Sequence, residues 1–362
     1  MDDRYLAFMG LAPQRIPHWE HWSCPDAETY LTGIDYYDHP RLCRLRLREL
    51  YPCLGLGVPD QDTPRPRPRL GEEESSLVDE HGRRHVRWGD GETSHWSWGE
   101  RFHSLEECFA FSPLTQGDFT DIPVVESKDY CDEERLYQSY RRGYPPELGE
   151  RGRPGEASMV SFYNTMFMWP LLTFGWERFL EMCLDPRFDR LMEEFAEINR
   201  RVFRSFARLP VNFVLCHDDI VTSRGPVCSP AWMRKHIFPR YEEFWGTVRA
   251  AGKEVLFMAD GCMDAFAADV FACGARGIIS EPYTDYRAIA RKHPDCFLAG
   301  EGDNRVLSRN DPHEIRAMVE SMLATARLTG GYMMCVGNHI PWNVSPEGIK
   351  RYLDLSAELA VR

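Results

Sequence analysis

Long apolar runs are missing from this sequence. The longest, such as Val255–Met258 and Tyr332–Val336, fall far short of the roughly 20 residues a helix needs to cross a bilayer. Positive charge is also short: 43 Lys and Arg stand against 56 Asp and Glu, a net charge of −13. General affinity for nucleic acid or an anionic membrane is therefore not expected. The local arginine clusters Arg41–Arg48 and Arg65–Arg69 read as solvated faces and linker charge. The 12 cysteines stand singly, with no C-x-x-C pair, which removes the commonest zinc and redox motifs. Cys216, Cys296 and Cys335 lie inside apolar runs, where cysteine serves as a small hydrophobe, so the thiols are expected to be reduced and structural. The opening Met1-Asp2-Asp3-Arg4 is acidic where a secretory signal is basic, so a cytoplasmic location is expected.

What is present is the material of a substantial core: 43% hydrophobic residues and 27% charged ones in 362 residues. Residues 1–150 are rich in Pro, Gly, Trp and charge, and form an irregular N-terminal extension with the first elements. A short helix is expected at the start and another over residues 39–50. Pro64–Arg69 interrupts regular structure with alternating prolines. Leu77–Trp88 reads as a hairpin turning at Glu80-His81-Gly82, and Gly89-Asp90-Gly91 is the next turn. The tryptophans Trp19, Trp22, Trp88, Trp96 and Trp98 either line a pocket or cover the floor of the fold.

From residue 151 to 362 the rhythm is strand, loop, helix, repeated. The strand candidates are Met159–Phe162, Asn212–Cys216, Glu254–Met258, Gly277–Ser280, Cys296–Ala299 and Tyr332–Val336. Such short, near-continuous apolar runs suit parallel strands buried on both faces. Helical spacing covers Trp176–Cys183, Phe188–Arg208, Pro230–Ala251, Met263–Cys273, Tyr286–Lys292 and Pro312–Thr329. No G-x-G-x-x-G follows a first strand, which weakens a dinucleotide-binding sheet. With two further strands from the N-terminal part, one of them in Cys53–Val58, these units make an α/β (β/α)8 barrel in one domain of residues 1–362.

Catalytic groups in such a barrel sit where the strands end. Reading those ends gives His217-Asp218-Asp219, Asp260, Glu281, Glu301 with Asp303, and Asn338-His339. Acids after strands are often helix N-caps, and Asp303 and Asp285 have that simpler explanation. Together, however, a convergent acidic ring carries a repulsion cost unless a cation, a proton or a donor relieves it. Side chains alternate along a strand, so at most two of His217, Asp218 and Asp219 share the mouth, and one carboxylate orients a loop. His217, Asp218, Asp219, Asn338 and His339 are the candidate catalytic residues. Asp260, Glu281, Glu301 and Asp303 are the candidate substrate-binding residues. Asp260, Glu281 and His217 are the candidate ligands of a divalent metal, although no H-x-H or H-E-x-x-H spacing demands zinc.

The stretch from Val211 to the C-terminus resembles the uroporphyrinogen decarboxylase superfamily. The resemblance rests on Asp218-Asp219-Ile220, Ser229-Pro230-Ala231-Trp232, Gly252–Gly261, Gly277–Pro282, Gly300–Asp303 and Gly330–Ile340. Weaker likeness reaches Arg15–Trp19, Asp79–Gly82 and Phe174–Phe179. It implies a distorted (β/α)8 barrel. The decarboxylase branch has an N-terminal arginine-rich motif and a last-motif histidine. Here the corresponding residues are Trp19–Cys24 and Asn338, so the arginines that would neutralise a polycarboxylate are missing.

The other branch moves methyl groups between a corrinoid protein and a thiol, using zinc held by His-x-Cys and a later Cys. Here those positions are Met258, Asp260 and Asn338, while Cys262 and Cys335 are displaced. The resemblance therefore implies a methyltransferase-like enzyme in a corrinoid-dependent methyl-transfer or demethylation system. Its substrate would be a small molecule, its methylcorrinoid would come from a partner corrinoid protein, and a divalent metal, zinc or another, could serve it. The alternatives are a decarboxylase or lyase acting on a small or tetrapyrrole-like carboxylate, and a non-catalytic ligand-binding member.

Overall fold

The structure is a computed structural model. It describes residues 2–22, 24–55, 57–65, 77–78, 84–88, 91–95, 102–115, 130, 132–144, 153, 155–163, 165–341 and 344–362. In the N-terminal part, β1 (Leu77–Val78), β2 (Arg84–Trp88) and β3 (Gly91–His95) form an antiparallel ribbon with Val78 opposite Arg84 and Trp88 opposite Gly91. This is the expected hairpin. Its turn residues Glu80-His81-Gly82, the Gly89-Asp90 pair, Trp96 and Trp98 lie outside the described residues.

Six parallel strands form the main sheet: β4 (Met159–Tyr163), β5 (Phe213–His217), then, after the small β6 (Val221–Thr222) and β7 (Gly225–Pro226) pair, β8 (Glu254–Met258), β9 (Gly277–Ile279), β10 (Phe297–Ala299) and β11 (Gly331–Met333). Their spatial order is their chain order, as in a barrel wall. Two more segments extend it. His18 bridges Met334 in parallel, Trp22 bridges Ile340, and Glu20 bridges Leu54. The wall thus runs from β4 round to residues 18–22 and then residue 54, eight segments in all. Among the described residues no ladder joins the last segment to β4. The weak candidate in Cys53–Val58 contributes this bridge at Leu54.

Strand partners place Tyr163, His217, Met258, Ile279, Ala299 and Met333 at one level. Parallel partners side by side share a face, so these side chains form one layer of the lumen. Below them Phe213, Leu256 and Phe297 pack with Ala7 and Phe8. Phe8 sits edge-on to Phe213 and Phe297, with centroids 5.0 and 4.8 Å away, a favoured aromatic geometry. The helix Asp3–Phe8, capped by Asp2, therefore plugs the floor of the barrel. The alternate strand residues, such as Val214, Cys216, Phe257 and Tyr332, face the outer helices.

Several boundaries differ from the sequence expectation for identifiable reasons. Pro230–Ala251 is two helices, Pro230–His236 and Phe238–Ala250, because Pro239 has no N–H to continue the ladder. The Met263–Cys273 helix begins at Ala267. The last strand ends at Met333, after which Met334 and Val336 leave the sheet to bridge His18 and Gly302. The helices Asn304–Arg309 and Pro346–Leu359, unremarked in the sequence, carry Asp303 and Ser345 as N-caps.

Candidate functional site

A row of hydrogen bonds crosses the mouth of the barrel. His217 Nε2 lies 3.0 Å from Asp219 Oδ1, and the same oxygen accepts the Asp260 backbone N–H at 2.8 Å. The other end of Asp260 accepts from Asn338 Nδ2 at 2.9 Å. Asn338 Oδ1 lies 2.7 Å from His339 Nδ1, whose imidazole is 5.8 Å from His21, which in turn stacks with Trp19. Five of the residues picked from strand ends, His217, Asp219, Asp260, Asn338 and His339, therefore meet. Asn338 reaches Asp260 from a backbone at φ 61°, the left-handed region that Asn tolerates better than most residues.

Burial and like charge set the proton affinities. Burial raises the Asp260 carboxyl to about 7, repulsion from Asp219 and Glu281 adds to the rise, and His217 opposes it. Burial would lower the His217 pKa, but the Asp219 hydrogen bond and surrounding carboxylates more than reverse this. Glu281 is raised by burial and by Asp219. His339 is lowered by burial and by His21, so it favours the neutral ring. Tyr163 closes the inner side, its ring 4.0 Å from the His217 imidazole, with its pKa raised by burial and the acids.

Asp218 serves a different purpose. It is fully buried, and its oxygens accept Met168 N at 2.6 Å, Phe167 N at 2.7 Å and Tyr241 OH at 2.6 Å. It is the loop-orienting carboxylate that strand alternation required. Burial pushes its pKa up to about 6 against these three donors. Glu301, expected to bind substrate, is not brought to the mouth. Gly300 at φ +98° turns the chain, and a Cβ there would stand 1.8 Å from Ser280 O. Glu301 then accepts from Tyr332 at 2.7 Å and Thr325 at 3.0 Å, on the helix side of the wall. Asp303, also expected to bind substrate, caps the helix Asn304–Arg309 through Arg305 N at 2.8 Å and pairs with the Arg305 side chain. Its simpler explanation holds, as does that of Asp285, which accepts from Ala288 N.

His217, Asp219 and Asp260 each offer a ligand atom, all within 4.8 Å of one another. The expected metal trio had Glu281 where the structure has Asp219. One imidazole nitrogen and two carboxylates suit a hard or borderline divalent cation and leave coordination positions open. The set contains no thiolate. Cys335 is buried with its thiol pKa raised, and Cys262 is partly exposed beside Asp264. A thiolate-rich zinc site does not fit these residues.

Two features escaped the sequence reading. Tyr163 lies one residue beyond the predicted strand, and carrying the alternation one step further would have found it. A His18–Glu20 pair at 2.7 Å lies within the wall segment of residues 18–22, with the Glu20 carboxylate fully buried. Glu20 also accepts from Tyr352 OH at 2.6 Å and Val336 N at 3.1 Å, two residues before Asn338. The alternating polar positions His18 and Glu20 were the available signal.

The uroporphyrinogen decarboxylase (URO-D) family pattern matches residues 173–359, more than half of the chain. The chain belongs to the uroporphyrinogen decarboxylase family. Among solved structures, a methyltransferase from Methanosarcina mazei is similar over 98% of this chain and 97% of that chain, with a TM-score of 0.57 and 14% identity. That likeness shows the barrel fold. The catalytic core of xylanase A (TM-score 0.34, 12% identity, 65% of this chain and 83% of that one) is too distant to carry an argument. So is a xylose isomerase-like TIM barrel protein from Mycobacterium smegmatis in complex with magnesium (TM-score 0.27, 12% identity, 62% and 88%). No curated protein sequence matches the chain. Among the described residues, no helix of this uroporphyrinogen decarboxylase family member is long and apolar enough to cross a membrane.

Proposed function

We propose that the chain is a methyltransferase-like enzyme of a corrinoid-dependent methyl-transfer or demethylation system, with the methylcorrinoid supplied by a partner protein. The observation that carries this reading is the row from His217 through Asp219 and Asp260 to Asn338, at the mouth of a barrel whose fold a methyltransferase shares. The charge of the mouth supports it over decarboxylation of a polycarboxylate. Asp219, Asp260 and Glu281 gather there, and the nearby Arg305 is engaged by Asp303.

His217, Asp219 and Asp260 would hold a divalent cation, which supplies Lewis acidity to a small-molecule substrate when bound. The chain's own residues manage the proton. A methyl acceptor bearing an X–H bond gives up that proton as the X–CH3 bond forms and the donor–CH3 bond breaks, its electron pair staying with the donor. Glu281, outside the ligand trio and with its proton affinity raised by burial and by Asp219, is suited to take the proton. Asn338 fixes the orientation of the Asp260 carboxylate, and the Tyr163 ring packs edge-on against the imidazole.

Anaerobic incubation with methylcob(III)alamin and a panel of thiols and methoxylated compounds tests the reading. The methylcorrinoid absorption should change with at least one partner compound, and Asp260→Asn should slow that change about 100-fold. Unchanged spectra across the panel would sink the proposal, and carbon dioxide release from a carboxylate substrate would transfer the site to the lyase reading.

A further inference from the structure

The opposite end of the barrel carries a second feature that the proposed reaction does not use. Where β8, β9 and β10 begin, an open cleft of about 420 Å³ is lined by Arg249, Glu254, Phe271, Arg276, Lys292 and His293, among others. Its size falls in the range of small-molecule sites. It lies at the starts of the strands whose far ends lead into Asp260 and Glu281, so it is separate from the mouth.

Its polar groups are unevenly satisfied. Arg276 donates to Glu254 at 3.2 Å, which neutralises both. The side chains of Arg249 and Lys292 have no hydrogen-bond or ion-pair partner among the described residues. His293 Nε2 is buried and likewise unpartnered, while its ring packs 4.5 Å from Phe271. That nitrogen is out of reach of a ligand in the open cleft, and the His293 ring serves as part of its wall. The Arg249 guanidinium is also seated. A Cβ built at Gly274 would stand 2.5 Å from Arg249 Nη1, and Gly274 holds φ +104°, so the absent side chain makes room for the arginine. Asp295 is the remaining acid of the lining.

We propose that this cleft binds a small organic phosphate monoester, its oxygens taken by Arg249 and Lys292 and its organic portion by Phe271, Ala275, Pro294 and the His293 ring. A guanidinium and an ammonium lining one cleft suit a tetrahedral oxyanion. A cleft of about 420 Å³ exceeds what inorganic phosphate fills, which selects an ester with a body of its own.

The test is isothermal titration of the full chain with inorganic phosphate and with glycerol phosphate, repeated on Arg249→Gln, Lys292→Gln and Asp260→Asn. Saturable binding is expected, tighter for the ester. Each cleft variant should weaken it about tenfold, while Asp260→Asn should leave it unchanged. Arg249 and Lys292 are exposed, so these variants should keep the wild-type melting temperature. Absence of saturable binding by either compound, or equal affinity in wild type and Arg249→Gln, would overturn the proposal. Weaker binding in Asp260→Asn would move the site to the mouth and overturn it as well. Methyl transfer is not read in this experiment, so its outcome is independent of the proposed reaction.

Discussion

The floor and the mouth of this barrel are built from the same strands and solve opposite problems. At the floor, Phe213 and Phe297 point inward and Phe8 is inserted between them, an aromatic plug. One or two turns of alternation later, the same β5 presents His217, and the loops after β5 and β8 present Asp219 and Asp260. The floor can be fully packed because nothing there has to react. The mouth gathers three acids and a histidine at a cost in repulsion, which raised proton affinity at Asp260 and Glu281 partly relieves. Stability and chemistry are thus separated along each strand, and substitutions at the two ends should have different consequences.

The largest stability effect is expected at the floor. Phe213→Ala should cost about 3–5 kcal/mol in chemical denaturation, by loss of burial and an unfilled cavity, with divalent-cation binding at the mouth retained. A parallel loss of cation binding would mean that the two ends are not separable. Next comes the buried seam. Burial opposes protonation of His18, but hydrogen bonds to Cys53 and Glu20 outweigh it and hold its pKa at about 10. A histidine whose folded pKa is raised contributes stability that is complete below about 6.5 and is lost as pH climbs through about 10. The stability difference between wild type and His18→Gln should therefore shrink by about 2–4 kcal/mol from pH 6 to pH 10. A pH-independent difference would show that the pair carries no charge.

Asp218 sharpens the comparison because it lies among mouth residues yet supports the fold. Asp218→Asn leaves at least one of three buried donors poorly matched and should cost about 1–3 kcal/mol by thermal melting. Asn338→Ala is the reverse case. Its stability change should stay at about 1 kcal/mol, the cost of placing alanine in the left-handed backbone at φ 61°, while cation affinity falls about tenfold as Asp260 loses the group that orients it. If Asn338→Ala instead unfolds the protein, the row across the mouth is a structural clasp.

The strands of the C-terminal half were legible because both of their faces are buried, so each appears as an apolar run. Glu254–Met258 and the helix Phe188–Arg208 match the structure to the residue. The N-terminal wall was not legible in the same way. It pairs through single bridges at His18, Glu20, Trp22 and Leu54, and it places a charged pair where a strand signature would want aliphatic residues. Strand ends located His217, Asp219, Asp260, Asn338 and His339, since position in a barrel is set by order along the chain. They could not separate Asp219 from Asp218, or exclude Glu301. Those outcomes depend on three-dimensional partners: the Phe167–Met168 backbone with Tyr241 in the first case, and Tyr332 with Thr325 in the second.

The central claim is that the polar row at the mouth is a working site built on His217, Asp219 and Asp260. Elemental analysis and cation titration of the full chain, repeated on Asp219→Ala, Asp260→Ala, Glu281→Ala and Glu301→Gln, test it most directly. One divalent cation per chain is expected in the wild type and in Glu301→Gln, with weaker retention in Glu281→Ala and loss in Asp219→Ala and Asp260→Ala. A chain that binds no divalent cation, or one whose cation survives Asp260→Ala, would contradict it.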